Sequence, residues 1–110
     1  MITYVHTKEE WNALARQHAE SGNILVVCFS APWCGPCKAL APKFEAIAKE
    51  YEEQGPFEFL KVDIDECPFI AEKFEVASVP CTMFIKKCAV VKSVVGCDIG
   101  GIHSGLKQIV

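Results

Sequence analysis

A chain of 110 residues is long enough to bury one hydrophobic core and too short for two, and 51 % of it is hydrophobic, so residues 1–110 read as a single domain. A net charge of −3, with 23 % charged residues, argues against a disordered chain and against a basic nucleic-acid surface. The longest apolar run, Ile24–Phe29, suits a buried strand and is too short to span a bilayer.

In chain order, Ile2–His6 reads as a first strand. Thr7-Lys8-Glu9-Glu10 has capping-box spacing, and Trp11, Leu14 and Ala15 follow at helical intervals, giving a helix from Lys8 to Glu20. Gly22-Asn23 turns into the strand Ile24–Phe29. A long helix is expected from Cys34 to Glu53, kinked at Pro42, where a backbone donor is missing. Gly55-Pro56 ends it, Phe57–Asp63 is a buried strand, and Asp65 is a plausible N-cap for a short helix, Pro68–Phe74. Pro80 opens the strand Cys81–Ile85, and Lys86-Lys87-Cys88-Ala89 reads as a hairpin turn into Val90–Val95. Asp98–Val110 has apolar residues at helical spacing. Gly100, Gly101 and Gly105 would each cost about 1 kcal/mol there, so a frayed, packing-dependent helix is expected. The order β-α-β-α-β-α-β-β-α predicts an α/β fold with a mixed central sheet flanked by helices.

The chemistry lies in the cysteines. There are seven, an odd number, at positions 28, 34, 37, 67, 81, 88 and 97, and only one pair is closely spaced. A secreted disulfide scaffold would favour an even count and a small apolar core. The start of the sequence, MITYVHTKEEW, lacks a charged leader followed by an apolar run, so no signal peptide is expected and the location reads as cytoplasmic. His6, His18 and His103 are scattered and suggest no metal-binding pair.

Cys34-Gly35-Pro36-Cys37 lies at a strand-to-helix junction, which puts the first thiol at a helix N-terminus. Free N–H groups and the positive dipole end favour a thiolate there. Cys34 is therefore the candidate nucleophile, and Cys37, one turn deeper, can resolve a mixed disulfide. Pro36 is preset for the first helical turn. The same spacing serves as half of a zinc site, but no second Cys or His pair stands at a suitable interval, so no metal is expected.

Trp33–Lys38, WCGPCK, after an apolar strand and within a βαβ pattern, resembles the thioredoxin family over almost the whole chain. Pro42, five residues after the second cysteine, the Val79-Pro80 pair opening a strand, and Gly96 ending the last strand extend the similarity. The resemblance implies a cis Pro80 lying against the dithiol, although cis is the minority X-Pro isomer at about 5–6 %. It implies active-site support from Trp33, Gly35, Pro36 and Pro80, and a substrate groove formed by Trp33, Val79, Pro80 and Gly96. It also implies protein disulfides as substrates and no bound cofactor. The redox-active disulfide Cys34–Cys37 would be recharged by a thioredoxin reductase or an equivalent donor.

Two positions depart from that family. Cys28 stands where a buried aspartate is usual. A thiol buried in an apolar strand stays protonated and cannot take a proton from Cys37 near neutrality. Lys61, the usual partner of that aspartate, is expected to reach for solvent, with stabilisation of a Cys28 thiolate as the sharper alternative. Cys81 follows Pro80 where threonine is usual, and is either strand packing or a third redox thiol. Cys67 is a further candidate redox thiol, blunted by the acidic Asp65-Glu66 before it. Cys67, Cys88 and Cys97, if exposed, could be modified or link two chains into a dimer; otherwise a monomer is expected. The leading function is a general protein-disulfide reductant lacking its proton relay. The alternatives are a redox-sensitive binding module with little turnover and a metal or iron–sulfur carrier.

Overall fold

Residues 1–109 are described by a computed structural model. Five strands, β1 (Ile2–Val5), β2 (Ile24–Ser30), β3 (Phe57–Asp63), β4 (Cys81–Lys86) and β5 (Ala89–Val95), form one sheet in the order β1-β3-β2-β4-β5. The helices are α1 (Lys8–Ser21), α2 (Gly35–Tyr51), α3 (Pro68–Lys73) and α4 (Ile99–Ile109). β1, β3 and β2 run parallel, and β4 and β5 are antiparallel. This is the expected thioredoxin-like mixed sheet.

β2 is the central strand, and all seven of its residues are buried. Strands covered on both faces read as continuous apolar runs rather than alternating ones. Alternation survives in where the side chains go. Ile24, Val26 and Cys28 join Leu40, Phe44 and Ile47 of α2 and Ile102 and Leu106 of α4. Leu25, Val27 and Phe29 join Trp11 of α1 and Ile70 of α3. A residue's parity on β2 thus decides which of two cores it enters.

Most element ends agree with the sequence reading to within one or two residues. α1 is capped by Thr7, whose hydroxyl accepts from the Glu10 amide. Pro42 lies inside a continuous α2. The hairpin loop shrinks to Lys87 and Cys88, both at positive φ (50° and 67°), because a two-residue turn of this hand requires it. Neither is glycine, so the turn carries left-handed strain of about 1–2 kcal/mol per residue.

Two expectations need correction. Asp65 does not cap α3; Cys67 holds that position, with no side-chain bond, and Pro68 starts the helix. Asp63 forms the turn instead, its carboxylate accepting from the Asp65 amide at 2.8 Å and the Glu66 amide at 3.4 Å. The C-terminal segment is not frayed: α4 runs unbroken from Ile99 to Ile109, while Val110 lies outside the described residues. Asp98 accepts from the Gly101 amide at 2.9 Å, and His103 Nδ1 lies 3.0 Å from the Tyr51 hydroxyl, tying α4 to α2. Gly105 is buried against Phe84, where a methyl group would fall 2.7 Å from Cζ. The glycine that weakens the helix is what lets it close on the sheet.

Candidate active site

β2 ends at Ser30, and three residues later the chain turns into α2. Cys34 occupies the N-cap with extended backbone (φ −91°, ψ 112°), and its Sγ accepts from the Cys37 amide at 3.2 Å. A free helix N–H therefore points at the sulfur, which stabilises negative charge when the pair is reduced. Cys34 and Cys37 are joined as a disulfide with Cα atoms 5.2 Å apart. Both are largely buried, while Gly35 and Pro36 between them are exposed.

The long-range part of the site comes from the neighbouring antiparallel strand, since the start of β4 at Cys81 lies beside the end of β2 at Phe29. The Val79–Pro80 bond is cis, and the Val79 carbonyl oxygen lies 3.6 Å from Cys34 Sγ. The Gly96 amide donates to the Pro80 carbonyl at 2.8 Å, and Gly96 has φ +86°, a conformation that favours glycine. Residues 34, 79, 80 and 96, named as separate motifs, thus converge. Trp33 is 66 % exposed, which makes it a rim rather than a core residue. Its indole N–H donates to Asp65 at 2.9 Å. Asp65 is the residue sequence reasoning missed, because nothing local links positions 33 and 65 and its own neighbourhood resembles a helix start.

The row across the centre of the sheet is Lys61 on β3, Cys28 on β2 and Thr82 on β4. Burial pushes the Cys28 thiol up to about 11, against smaller opposing pulls from the Lys61 charge and the Thr82 hydroxyl. Cys28 is therefore a neutral thiol near pH 7. Cys81 is buried on the other face of the sheet, and burial raises its pKa.

Cys67 is fully buried, not exposed, because its sulfur packs inward 3.6 Å from the Val5 carbonyl oxygen. Burial raises its pKa first, and Glu66, Asp63 and Glu10 add to the shift. Cys88 and Cys97 are exposed. Brief treatment of the native, oxidised protein with iodoacetamide should therefore label Cys88 and Cys97 and spare Cys28, Cys67 and Cys81. Peptide mass mapping checks this, and early labelling of Cys67 would contradict the packing.

Among the described residues no group of three His, Cys, Asp or Glu side chains is arranged to hold a metal ion. None of the described helices is long and apolar enough to cross a membrane.

Comparison with known proteins agrees with this geometry. A rice thioredoxin H-type (Oryza sativa subsp. indica) is 41 % identical over 96 residues, covering 87 % of this chain and 76 % of that protein. A thioredoxin of Echinococcus granulosus is 45 % identical over 90 residues, covering 81 % of each. The crystal structure of a thioredoxin from Nicotiana alata superimposes with a TM-score of 0.91 at 27 % identity, covering 97 % of this chain and 90 % of that one. The thioredoxin family profile matches residues 2–108. A dithiol capping a helix, closed against a cis-proline loop within that match, has one consistent meaning: the chain belongs to the thioredoxin family and is a thiol–disulfide oxidoreductase.

Proposed function

We propose that this chain is a general reductant of protein disulfides, working as one domain, with Cys34 as nucleophile and Cys37 as resolving thiol. The observation that carries this reading is the Cys37 amide on Cys34 Sγ, at a helix start that faces the Val79 carbonyl. The reduced Cys34 thiolate attacks one sulfur of the substrate disulfide, and the other leaves as a thiolate that takes a proton. Cys37, as thiolate, then attacks Cys34 Sγ. The Cys34–Cys37 bond forms, the bond from Cys34 to substrate breaks, and the second substrate thiol is released. The substrate gains two electrons, which a reductase or equivalent donor returns to the pair.

Trp33, held by Asp65, forms the rim of the docking surface with Val79, Pro80 and Gly96, and an extended substrate segment aligns with the Val79 backbone. Gly35 and Pro36 set the start of α2. We read the working form as a cytoplasmic monomer, with the exposed Cys88 and Cys97 the thiols open to linking two chains. Burial of Cys67 and Cys81 favours packing over a redox role for both.

Cys28 replaces the buried acid that would accept the Cys37 proton. Resolution then depends on the thiolate fraction of Cys37, which below its pKa rises about tenfold per pH unit. Reduction of insulin followed from pH 6 to 9 should climb steeply with pH. Cys28→Asp should restore a base and flatten the profile, with a gain of about tenfold or more at pH 6, given that a placed base is worth about 10²–10⁴. Matching profiles for the two proteins would mean that the carboxylate is dispensable here. No turnover in either, with Cys34 still open to alkylation, would point to a binding module.

A further inference from the structure

Resolution without a buried acid still needs something that favours the Cys37 thiolate. Cys37 and Lys61 line the same open cleft of about 340 Å³, between the end of β1, the first turns of α2 and β3. Lys61 stands directly opposite Cys28 in the β2–β3 register, the position where a carboxylate would have neutralised it. Among the described residues it makes no ion pair, and it is only half-exposed, so its charge is incompletely screened.

Building on the reductase reading, we infer that Lys61 is the positioning residue for resolution: its unpaired ammonium favours the Cys37 thiolate across the cleft. The thiol at position 28 thus has two opposite consequences. It removes a base, and it frees a cation that would otherwise face a carboxylate. The proton leaving Cys37 passes to water in the cleft, so no buried acceptor is required. Sulfur chemistry is unchanged: the thiolate attacks Cys34 Sγ and the substrate thiolate leaves.

The other charged or titratable groups facing the cleft do not cancel this effect. Lys38 of α2 is exposed and its charge is screened by solvent. Asp63 of β3 spends one carboxylate oxygen on the Asp65 and Glu66 amides, which spreads its charge into the turn. Glu66 is exposed and lies 3.0 Å from His6 Nδ1, at the mouth of the cleft. Tyr4 of β1 is exposed, and Cys28, beside Lys61 on β2, is a neutral thiol.

The test uses the full chain with Cys34→Ser, in which serine keeps the helix cap and Cys37 titrates alone at the site. The Cys37 thiolate is followed against pH by its ultraviolet absorbance, as the difference from the same chain with Cys37→Ser added, because Cys37 is as buried as the thiols that brief alkylation spares. This readout needs no disulfide substrate, so it stands or falls separately from the insulin assay. An opposite charge at close range lowers a pKa by about 1–3 units, and the low end applies in an open cleft. Lys61→Met should therefore raise the Cys37 midpoint by about one unit, cutting the thiolate fraction at neutral pH about tenfold. Lys61→Arg should keep the native midpoint, Lys61→Glu should move it further up than Met, and Lys38→Met should move it less. Molar salt should raise the midpoint of the Lys61 protein but not of Lys61→Met. An unchanged midpoint in Lys61→Met, or arginine behaving like methionine, would overturn the proposal.

Discussion

Replacing Cys34 with serine should reduce insulin turnover to the uncatalysed background, and replacing Cys37 with serine should arrest the reaction as a covalent adduct. The two outcomes differ because the two thiols have different tasks in the proposed mechanism. Serine at position 34 keeps the extended backbone and caps the helix at least as well as sulfur does, so the fold persists. An alcohol has no accessible anion at neutral pH, however, and the helix N–H that stabilises a Cys34 thiolate has nothing to act on. Serine at position 37 leaves that thiolate intact. Attack on the substrate proceeds, but no thiolate remains one turn deeper to displace the product, so the mixed disulfide accumulates. Non-reducing electrophoresis after mixing with oxidised insulin detects the adduct, and mass mapping identifies its cysteine. An adduct on Cys81 or Cys97 instead, or undiminished turnover in Cys34→Ser, would remove Cys34 from its assigned role.

Phe84→Ala should cost about 3–5 kcal/mol of stability, and Gly105→Ala should be destabilising in the native background yet neutral or stabilising beside Phe84→Ala. Phe84 is fully buried in the core under α2 and α4, so its loss removes a large apolar surface and leaves a cavity. Gly105 faces its ring: an added methyl carbon would meet Cζ at 2.7 Å and Cε2 at 2.9 Å. Such overpacking costs about 1–3 kcal/mol, against about 1 kcal/mol gained by replacing a helix-interior glycine. With Phe84 shortened the methyl has room and only the gain remains. The double-mutant cycle should show a coupling of roughly 1–3 kcal/mol by urea unfolding. Additive effects would mean that α4 does not rest on Phe84 through Gly105.

The same pair shows where sequence reasoning weakens. Propensity treats Gly100, Gly101 and Gly105 alike, as local costs, and on that ground α4 should fray. Packing separates them: a methyl on Gly105 would strike the Phe84 ring of β4, one on Gly101 would strike the Asp98 carboxylate, and one on Gly100 would have room, while burial of Ile102 and Leu106 holds the helix in place. Asp65 misled for a related reason. An acidic residue before Pro68 matches a helix start, but its carboxylate is taken by Trp33 from 32 positions earlier. The sequence leaves Cys67 open to exposure near a helix start, whereas its own side chain turns inward against β1.

The sequence by itself determined the element order, the mixed sheet and the dithiol at a helix start. Hydrophobic period, Gly and Pro punctuation and the CGPC spacing are local signals, and they act between residues a few positions apart. It also marked Cys28 as a buried thiol, since burial in an all-apolar strand is legible from that strand alone. Only the tertiary structure decided what lies against what. The Val79 carbonyl reaches Cys34 across 45 positions, Asp65 holds Trp33, and Lys61 shares a cleft with Cys37. Those contacts depend on strand register and on how helices settle on the sheet, and both are set by side-chain volumes summed over the whole core.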